Sequence, residues 1–411
     1  MAKETTKEEA LSLLFSNWQP TIETETIPVE IALNRVITKQ YYSTYNIPVV
    51  RSSCMDGVAV KSSAFANGMP DASKWVKGVD YVRADTGDDF PDDYDAVIRI
   101  EGVNVLENGG LEFLDEMEIK PGTGVAPCGA QLKVGAPLIE PGLPLRASDI
   151  ASLVMGGIHE VEVYRKPKVL FMPTGSELIP AGAELKRGNN FDTNSIIAKD
   201  MLLNMGADVT CTPIVKDNQQ ALAEVLNNAI NEYDVIIINA GSSKGEEDFN
   251  TRLLDKEGKL LLHWVAAGPG RPIGISVIKG KLVINVPGPS LGMFHGLTWC
   301  IQPVIYSFFK LPVPKKETVK CKLLHEMKSP PRIAFINKMN VYRCNGEYYV
   351  KQVMRGRSDQ PTMLRANAMF ISPIGESLYP KGSEIEVELL RNKAFIPEKT
   401  LEELEDEGQT F

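Results

Sequence analysis

The stretch 234–245, DVIIINAGSSKG, carries the strongest fold signal in the sequence. Its apolar, β-branched residues are typical of a strand that is buried on both faces, and a Gly/Ser loop follows directly. Two other stretches have the same design, PKVLFMPTG at 167–175 and KLVINVPGPSLG at 281–292. Helical patterns occupy 195–204 and 218–231. This alternation of strand, loop and helix predicts a doubly wound α/β sheet with parallel strands.

The chain on either side of this central region has a different texture. Short apolar runs between Gly, Pro and Asp turns predict a β-rich module from Asp56 to about Pro141. A similar texture after Val313 predicts a smaller C-terminal β domain. Apolar residues at helical spacing predict an N-terminal helix over residues 4–19. A second helix is predicted from Pro28 to Lys39, with the proline in its first turn.

Composition and charge argue against several classes of protein. The 411 residues include 44 Lys and Arg against 53 Asp and Glu, a net charge of −9. A nucleic-acid binder is therefore not expected, because phosphate contacts need a basic surface. No run approaches the ~20 apolar residues of a membrane span, and the start, MAKETTKEEA, is typical of a cytoplasmic protein. The six Cys and four His have no disulfide-like or zinc-like spacing.

The chemistry is expected in the loops that end the central strands, because open α/β sheets bind ligands beyond the carboxyl ends of their strands. These loops are 173–177, 240–245 and 286–290. Their small residues let backbone amides approach a phosphate or another oxyanion. The Walker signature and a GxGxxG motif after a strand are absent, which disfavours ordinary P-loop and dinucleotide sites. Nearby carboxylates are either magnesium ligands or helix caps, and both interpretations remain open for Asp217 and Glu246.

A series of short motifs runs in order through the chain. The series is Cys54-Met55-Asp56-Gly57-Val58-Ala59-Val60, Thr86-Gly87 with Asp95-Ala96-Val97 and Glu101, Thr174-Gly175-Ser176-Glu177-Leu178, Asp192-Thr193-Asn194-Ser195, Val215-Lys216-Asp217, Ala240-Gly241-Ser242-Ser243-Lys244-Gly245 with Asp248, Pro269-Gly270-Arg271-Pro272, and Val286-Pro287-Gly288. Each motif alone is moderately specific, but the shared order is strong evidence. The chain resembles the molybdopterin molybdenumtransferases of the MoeA type, which also form the C-terminal domain of gephyrin. The resemblance extends over about residues 5–390.

The resemblance implies a multidomain α/β plus β fold with four structural parts. An elongated dimerisation domain would be formed by residues 1–50 and 141–166, with a β-rich domain of residues 51–140 inserted into it. The α/β molybdopterin-binding domain would span residues 167–312. A C-terminal β-barrel would span residues 313–395, followed by an acidic tail, 396–411.

The resemblance also implies an activity, the last step of molybdenum cofactor assembly. Adenylylated molybdopterin is the implied substrate, Mg²⁺-dependent cleavage would release AMP, and molybdate or tungstate would be inserted at the dithiolene sulfurs. The implied enzyme is a cytoplasmic homodimer, and the adenylyltransferase of the preceding step is a candidate partner. Neither nucleic acid nor a membrane is an expected partner.

Family positions assign roles to individual residues. The catalytic group is Asp56, Thr86, Glu177 and Asp248, with Asp56 reaching the cleft from the neighbouring domain across the dimer. The implied magnesium ligands are Asp217, Asp248 and Glu177. The implied substrate-binding residues are Thr174, Gly175, Asp192, Asn194, Gly241, Ser242, Ser243, Lys244, Arg271, Pro287, Gly288 and Ser290. Among them, Ser243, Lys244 and Arg271 suit the molybdate oxyanion, because they offer charge-assisted hydrogen bonds.

Several positions depart from the family pattern. A family Tyr is Val58 here, acidic residues are replaced by Gln131 and Ser176, a basic residue is replaced by Gly268, and Asn-Pro is replaced by Pro289-Ser290. Because two carboxylates are lost, we keep a second hypothesis beside the insertase, a non-catalytic molybdopterin-binding or scaffold protein of the same fold. A third hypothesis, unrelated phosphate chemistry at the same α/β site, is disfavoured by the order of the motifs.

Overall fold

The chain folds into two compact units in the computed structural model, Glu23–Tyr164 and the remainder, Met1–Ile22 with Arg165–Phe411. The structure describes residues 5–216, 218–240, 253–353 and 366–406. Among these residues, no helix combines the length and the apolar character that a membrane span requires. The expected fold class, α/β together with β-rich parts and a barrel, is confirmed.

The unit Glu23–Tyr164 is built from short strands and contains three clusters of buried apolar residues. Its strands are β1 (Thr24–Pro28), β2 (Tyr41–Tyr42), β3 (Ser52–Ser53), β4 (Gly57–Val60), β5 (Tyr81–Ala84), β6 (Ala96–Arg99), β7 (Val103–Val105), β8 (Leu111–Phe113), β9 (Val125–Ala126), β10 (Pro137–Ile139) and β11 (Glu160–Tyr164). Its helices are the α-helix Ala147–Met155 and the 3₁₀ turns Val29–Ile31, Ser62–Phe65 and Ile100–Gly102. One cluster lies around the β1–β11 pair. The other two contain alternate residues of the sheet β5-β4-β6, Val58 and Val60 in one and Ala59 in the other.

The helix predicted from Pro28 to Lys39 is wrong. Pro28 ends strand β1, where it pairs with Glu160, and only the single 3₁₀ turn Val29–Ile31 follows. The Val29 amide donates to the carbonyl of His159 rather than to a helical partner. Asn34 has a positive φ of 62°, which interrupts a right-handed helix. Pairing with residues that are remote in sequence has therefore overridden the local helical pattern.

The central sheet of the other unit has the strand order β15-β12-β16-β20-β19-β17. The strands of this region are β12 (Lys168–Pro173), β13 (Leu178–Ile179), β14 (Asn190–Phe191), β15 (Asp208–Cys211), β16 (Val235–Ala240), β17 (Lys259–Trp264), β18 (Ala267–Gly268), β19 (Pro272–Ile278) and β20 (Lys281–Pro287). The helices are Lys7–Asn17, Asn194–Asn204, Gln219–Ala229, 253–257, and the helical run Ser290–Gly296, Leu297–Ile301 and Gln302–Phe308, whose middle turn is a π-helix.

Four neighbouring strands, β15, β12, β16 and β20, are parallel as predicted. Strand β19 runs antiparallel to both of its neighbours, β20 and β17. The reversal occurs at a tight turn between β19 and β20, where Lys279 and Gly280 have φ of 49° and 79°. Two residues with positive φ form the hairpin turn that fits the strand twist. The parallel part places the strand-end loops at one edge of the sheet.

The C-terminal region contains a closed five-stranded barrel, as expected. Strands β23, β24, β21, β27 and β25 pair in that order, and β25 pairs back to β23. The strands of this region are β21 (Thr318–Leu323), β22 (Met327–Lys328), β23 (Ala334–Cys344), β24 (Glu347–Gln352), β25 (Ala368–Ser372), β26 (Leu378–Tyr379) and β27 (Glu384–Leu389). The 3₁₀ turn Lys393–Phe395 and the helix Leu401–Asp406 follow. Closure leaves the ring without a free edge.

Candidate active site

Two buried asparagines join three strand-end loops at the carboxyl edge of the central sheet. Asn239, near the end of β16, donates from Nδ2 to the carbonyl of Pro287 at 2.7 Å. Its Oδ1 accepts from Nδ2 of Asn194 at 2.9 Å. Asn194 Nδ2 also donates to the carbonyl of Gly288 at 2.6 Å. The network therefore fixes the Pro287-Gly288 turn and the start of the helix Asn194–Asn204 relative to each other.

One hydrogen-bond acceptor in this network has no partner among the described residues. This acceptor is Oδ1 of Asn194, which is buried. A buried polar atom without a partner costs free energy, and in native proteins a bound ligand, ion or water is one explanation for it. The geometry suits a ligand that donates an N–H or O–H group to this oxygen.

The loop after β12 is held to the same network. Thr174 is 6% exposed, and both its amide and its Oγ1 donate to the carbonyl of Asn239, at 2.9 and 3.1 Å. The Gly175 amide donates to the carbonyl of Val215. The structure thus brings four predicted substrate-binding residues, Thr174, Asn194, Pro287 and Gly288, into one hydrogen-bonded constellation.

Asp192 has a structural partner in the same region. Its Oδ1 accepts from the Ser195 amide at 3.0 Å, and its Oδ2 accepts from the Ser195 hydroxyl. Asp192 therefore caps the first turn of the helix Asn194–Asn204. Its role as a substrate ligand stays a prediction.

The predicted oxyanion residues are only partly described. Arg271 is half-buried, and its guanidinium lies 5.6 Å from the ring centroid of Trp264, within cation–π distance. Ser290 is half-buried and begins the helix Ser290–Gly296. Six predicted residues lie outside the described part of the chain: Asp217, Gly241, Ser242, Ser243, Lys244 and Asp248.

The described residues do not by themselves form a metal site. Among them, no group of three His, Cys, Asp or Glu side chains is close enough to hold an ion. Glu177 is exposed, and its backbone carbonyl accepts from the Asn190 amide at 2.9 Å. Its carboxylate is a hard oxygen donor of the kind Mg²⁺ prefers. The other two predicted ligands, Asp217 and Asp248, are not described, so the magnesium assignment stays a prediction.

The unit Glu23–Tyr164 holds the other predicted pair, Asp56 and Thr86. Oδ1 of Asp56 accepts from both the amide and the hydroxyl of Thr86, each at 2.7 Å. These two hydrogen bonds, helped by the charge of Arg83, hold the pKa of Asp56 below its usual range. Two residues assigned from separate motifs are therefore in direct contact, and the carboxylate is kept ionised.

Gly57 explains why glycine follows Asp56. A Cβ at this position would lie 1.9 Å from the carbonyl oxygen of Ile98 on the paired strand β6. No L-amino acid with a side chain fits without moving the strands apart. The motif is thus partly a packing requirement that fixes Asp56 at the end of the sheet.

The departures from the family pattern have separate structural settings. Val58 belongs to β4 and is 1% exposed, packed in the core on one face of the sheet. Gln131 is exposed, and its backbone amide donates to the carbonyl of Ile47. Gly268 lies in β18, where a Cβ would be 2.6 Å from Ile333 Cδ1. Ser176 is exposed, and Pro289 precedes the helix Ser290–Gly296. A side chain at position 268 would therefore require the Ile333 side chain to move.

Two family models match the chain, one in its N-terminal part and one in the region of the central sheet. Residues 5–157 match the family model of the MoeA N-terminal region, domains I and II, and residues 172–307 match that of the probable molybdopterin-binding domain. Over these two regions the chain is similar to the MoeA proteins. The asparagine network lies inside the second matched region. Its central residue, Asn239, was not predicted as a site residue, although a polar side chain near the end of the apolar run 235–238 is a usable signal.

Relatives of known name align over most of the chain. A molybdopterin molybdenumtransferase of Haemophilus influenzae is 28% identical over 84% of this chain and 87% of its own length. The Bacillus subtilis protein of that name is 24% identical over 90% of this chain and 91% of its own length. The solved structure of the molybdopterin biosynthesis MoeA protein from Pyrococcus horikosii is 26% identical. It covers 95% of this chain and 100% of its own, with a TM-score of 0.75.

Proposed function

We propose that this chain is a molybdopterin molybdenumtransferase that completes the molybdenum cofactor. It binds adenylylated molybdopterin, releases AMP and inserts molybdate or tungstate. The observation that carries the proposal is the strand-end network of Asn194 and Asn239, inside the region that matches the molybdopterin-binding family model. The relatives that align over nearly the whole chain are named for this transferase activity.

The chain's own residues supply binding and orientation. Asn194 Oδ1 accepts a hydrogen bond from a donor on the substrate, because this buried oxygen has no described partner. Asn239 holds Asn194 and the Pro287 carbonyl in place and so acts as a positioning residue. The planar guanidinium of Arg271 matches a phosphate or molybdate oxyanion with paired hydrogen bonds.

Magnesium is part of the proposal, with Glu177, Asp217 and Asp248 as its ligands. When bound, it would neutralise charge on the phosphate oxygens of the substrate. Only Glu177 lies among the described residues, and its exposed carboxylate suits a hard cation.

We also propose that the enzyme works in the cytoplasm as a homodimer. Asp56, kept ionised by Thr86, is assigned to the reaction on the basis of its motif. The adenylyltransferase of the preceding step is the proposed protein partner, since it makes the substrate of this reaction.

The proposal is tested by incubating the purified protein with adenylylated molybdopterin, Mg²⁺ and either molybdate or tungstate. AMP release that depends on the oxyanion is the expected result. Substrate binding without turnover would instead support the scaffold hypothesis. An Asp248→Ala variant should lose cofactor maturation while keeping the thermal unfolding profile of the wild type. Maturation close to wild type in that variant would remove Asp248 from the site.

A further inference from the structure

A cavity of about 450 Å³ lies outside the strand-end site, between the helical run 290–308, the segment 313–318 and the barrel. Its volume is in the range of small-molecule sites. Aromatic and aliphatic side chains form much of its wall, including Phe294, Trp299 and Ile336. Such a wall suits a flat apolar body, because apolar burial and ring contacts both favour binding.

His295 provides a hydrogen-bonding group in the wall of this cavity. The residue is 2% exposed, and its Nδ1 lies 3.4 Å from the carbonyl oxygen of Pro269. Because a carbonyl only accepts, Nδ1 carries the proton and Nε2 is left as an acceptor. Nε2 is buried and has no partner among the described residues. Burial lowers the pKa of His295 to about 3, so the ring stays neutral and the acceptor persists.

The charged groups of the cavity are mainly basic. Lys315, Lys316, Lys7 and Glu388 line it, and Lys316 forms an ion pair with Glu388 at 2.9 Å. Lys7 is half-buried and forms no ion pair with a described residue. Burial lowers the pKa of its ammonium group, and the charges of Glu8 and Glu388 offset only part of this effect. An anion beside Lys7 would relieve this cost.

Lys7 lies in the first turn of a helix, next to Glu8 and Glu9. It begins the helix Lys7–Asn17, whose N-terminal end carries a partial positive charge. A lysine in the first turn is unfavourable for helix stability, so local helix formation does not explain it. The Thr5 carbonyl accepts from the Ala266 amide, and this contact anchors the start of the helix to the chain leading into β18.

We propose that this cavity binds a small aromatic or apolar molecule that carries one anionic group and one N–H or O–H donor. The anion pairs with Lys7, the donor bonds to Nε2 of His295, and the apolar body packs against Phe294 and Trp299. This site is separate from the substrate site and does not depend on the proposed transferase activity.

The probe for the test is 1-anilinonaphthalene-8-sulfonate, which combines fused rings, a sulfonate and an anilino N–H. Calorimetric titration of the full chain should give saturable binding at one site. Lys7→Met keeps the stem of the side chain and removes the charge. The Lys7→Met substitution should weaken binding roughly five- to tenfold, because one partly exposed charged hydrogen bond is lost. His295→Phe keeps a ring but removes the acceptor and should also weaken binding.

The matched control is Lys320→Met, which removes an exposed lysine from strand β21 of the same unit. It should bind the probe like the wild type. Equal affinities for the Lys7→Met and Lys320→Met variants would overturn the proposal, as would the absence of saturable binding to the folded wild type. Lys7→Gln repeats the measurement should the methionine variant fold poorly.

Discussion

The amide and the hydroxyl of Thr86 both donate to the same oxygen of Asp56, at 2.7 Å each. The two residues are 30 positions apart in sequence and come from different motifs. A carboxylate that accepts two hydrogen bonds keeps its charge to lower pH than a free one. The contact therefore turns two predicted site residues into one pre-ionised acidic group.

Removing the Thr86 hydroxyl should raise the pKa of Asp56. Thr86→Val keeps the shape and the backbone amide bond but loses one of the two donors, whereas Thr86→Ser keeps both. Because the pKa of Asp56 is depressed in the folded protein, its stabilising effect is present at neutral pH and is lost as pH falls through that pKa. Carboxyl NMR titration should show a higher pKa in Thr86→Val and a nearly unchanged pKa in Thr86→Ser. Identical pKa values in all three proteins would contradict the assignment.

A methyl group at position 57 should destabilise the unit Glu23–Tyr164. The Cβ of Gly57→Ala would lie 1.9 Å from the Ile98 carbonyl oxygen, so β4 and β6 would have to separate. We expect a loss of more than about 2 kcal/mol, measured by urea unfolding. Gly102→Ala is the matched control, because its Cβ would meet no backbone atom, only the side chains of Met117 at 3.3 Å and Arg99 at 3.8 Å. Similar losses in both variants would show that the contact with Ile98 is not the cause.

Asn239→Ala should impair the proposed reaction beyond its effect on stability. The variant removes a hydrogen-bond partner from the buried Pro287 carbonyl and from Nδ2 of Asn194. We expect the free energy of unfolding to fall by about 1–3 kcal/mol. Thr400→Ala removes the cap of the helix Leu401–Asp406 and costs about 1 kcal/mol, and Thr400 is not next to any proposed site residue. Thermal unfolding and the rate of AMP release should be measured for both. We expect the rate to fall only in Asn239→Ala, and a parallel fall in both would reduce Asn239 to a stability role.

His295 should make stability depend on pH in the acidic range. Its pKa is lowered to about 3 by burial, whereas an unfolded chain protonates near its usual value. The unfolded state therefore takes up a proton that the folded state does not, between about pH 6.5 and 3. The free energy of unfolding should fall by at most about 1.4 kcal/mol per pH unit from this residue.

Replacement of His295 by Phe removes that contribution, whereas His325→Gln changes an exposed histidine of the same unit. Urea unfolding at pH 7 and pH 5 measures the difference. The pH dependence should become shallower in His295→Phe and stay as in the wild type in His325→Gln. A slope unchanged by His295→Phe would show that another group titrates.

Local sequence patterns were sufficient to predict an element whose own residues favour its conformation. The β-branched run 235–238 predicted a buried strand, and the helix Gln219–Ala229 begins at Asn218, where the sequence places a capping residue. The same local logic failed at Pro28–Lys39, because the backbone there bonds to residues near 160. Backbone hydrogen bonds to remote residues, among them His159, Leu145 and Glu162, outweigh one helical turn.

The sequence by itself determined the α/β and β-rich parts, the order of the motifs and the resemblance to the MoeA proteins. Only the tertiary structure decided which side chains meet. Asn194 and Asn239 are 45 residues apart, and Asn239 and Pro287 are 48 apart. Their contact follows from the register of β12, β16 and β20, which pairs Pro173 with Asn239 and Ala240 with Pro287. Hydrogen bonds require donors and acceptors within about 3 Å, and that distance is set by the pairing of distant strands, which no local pattern encodes.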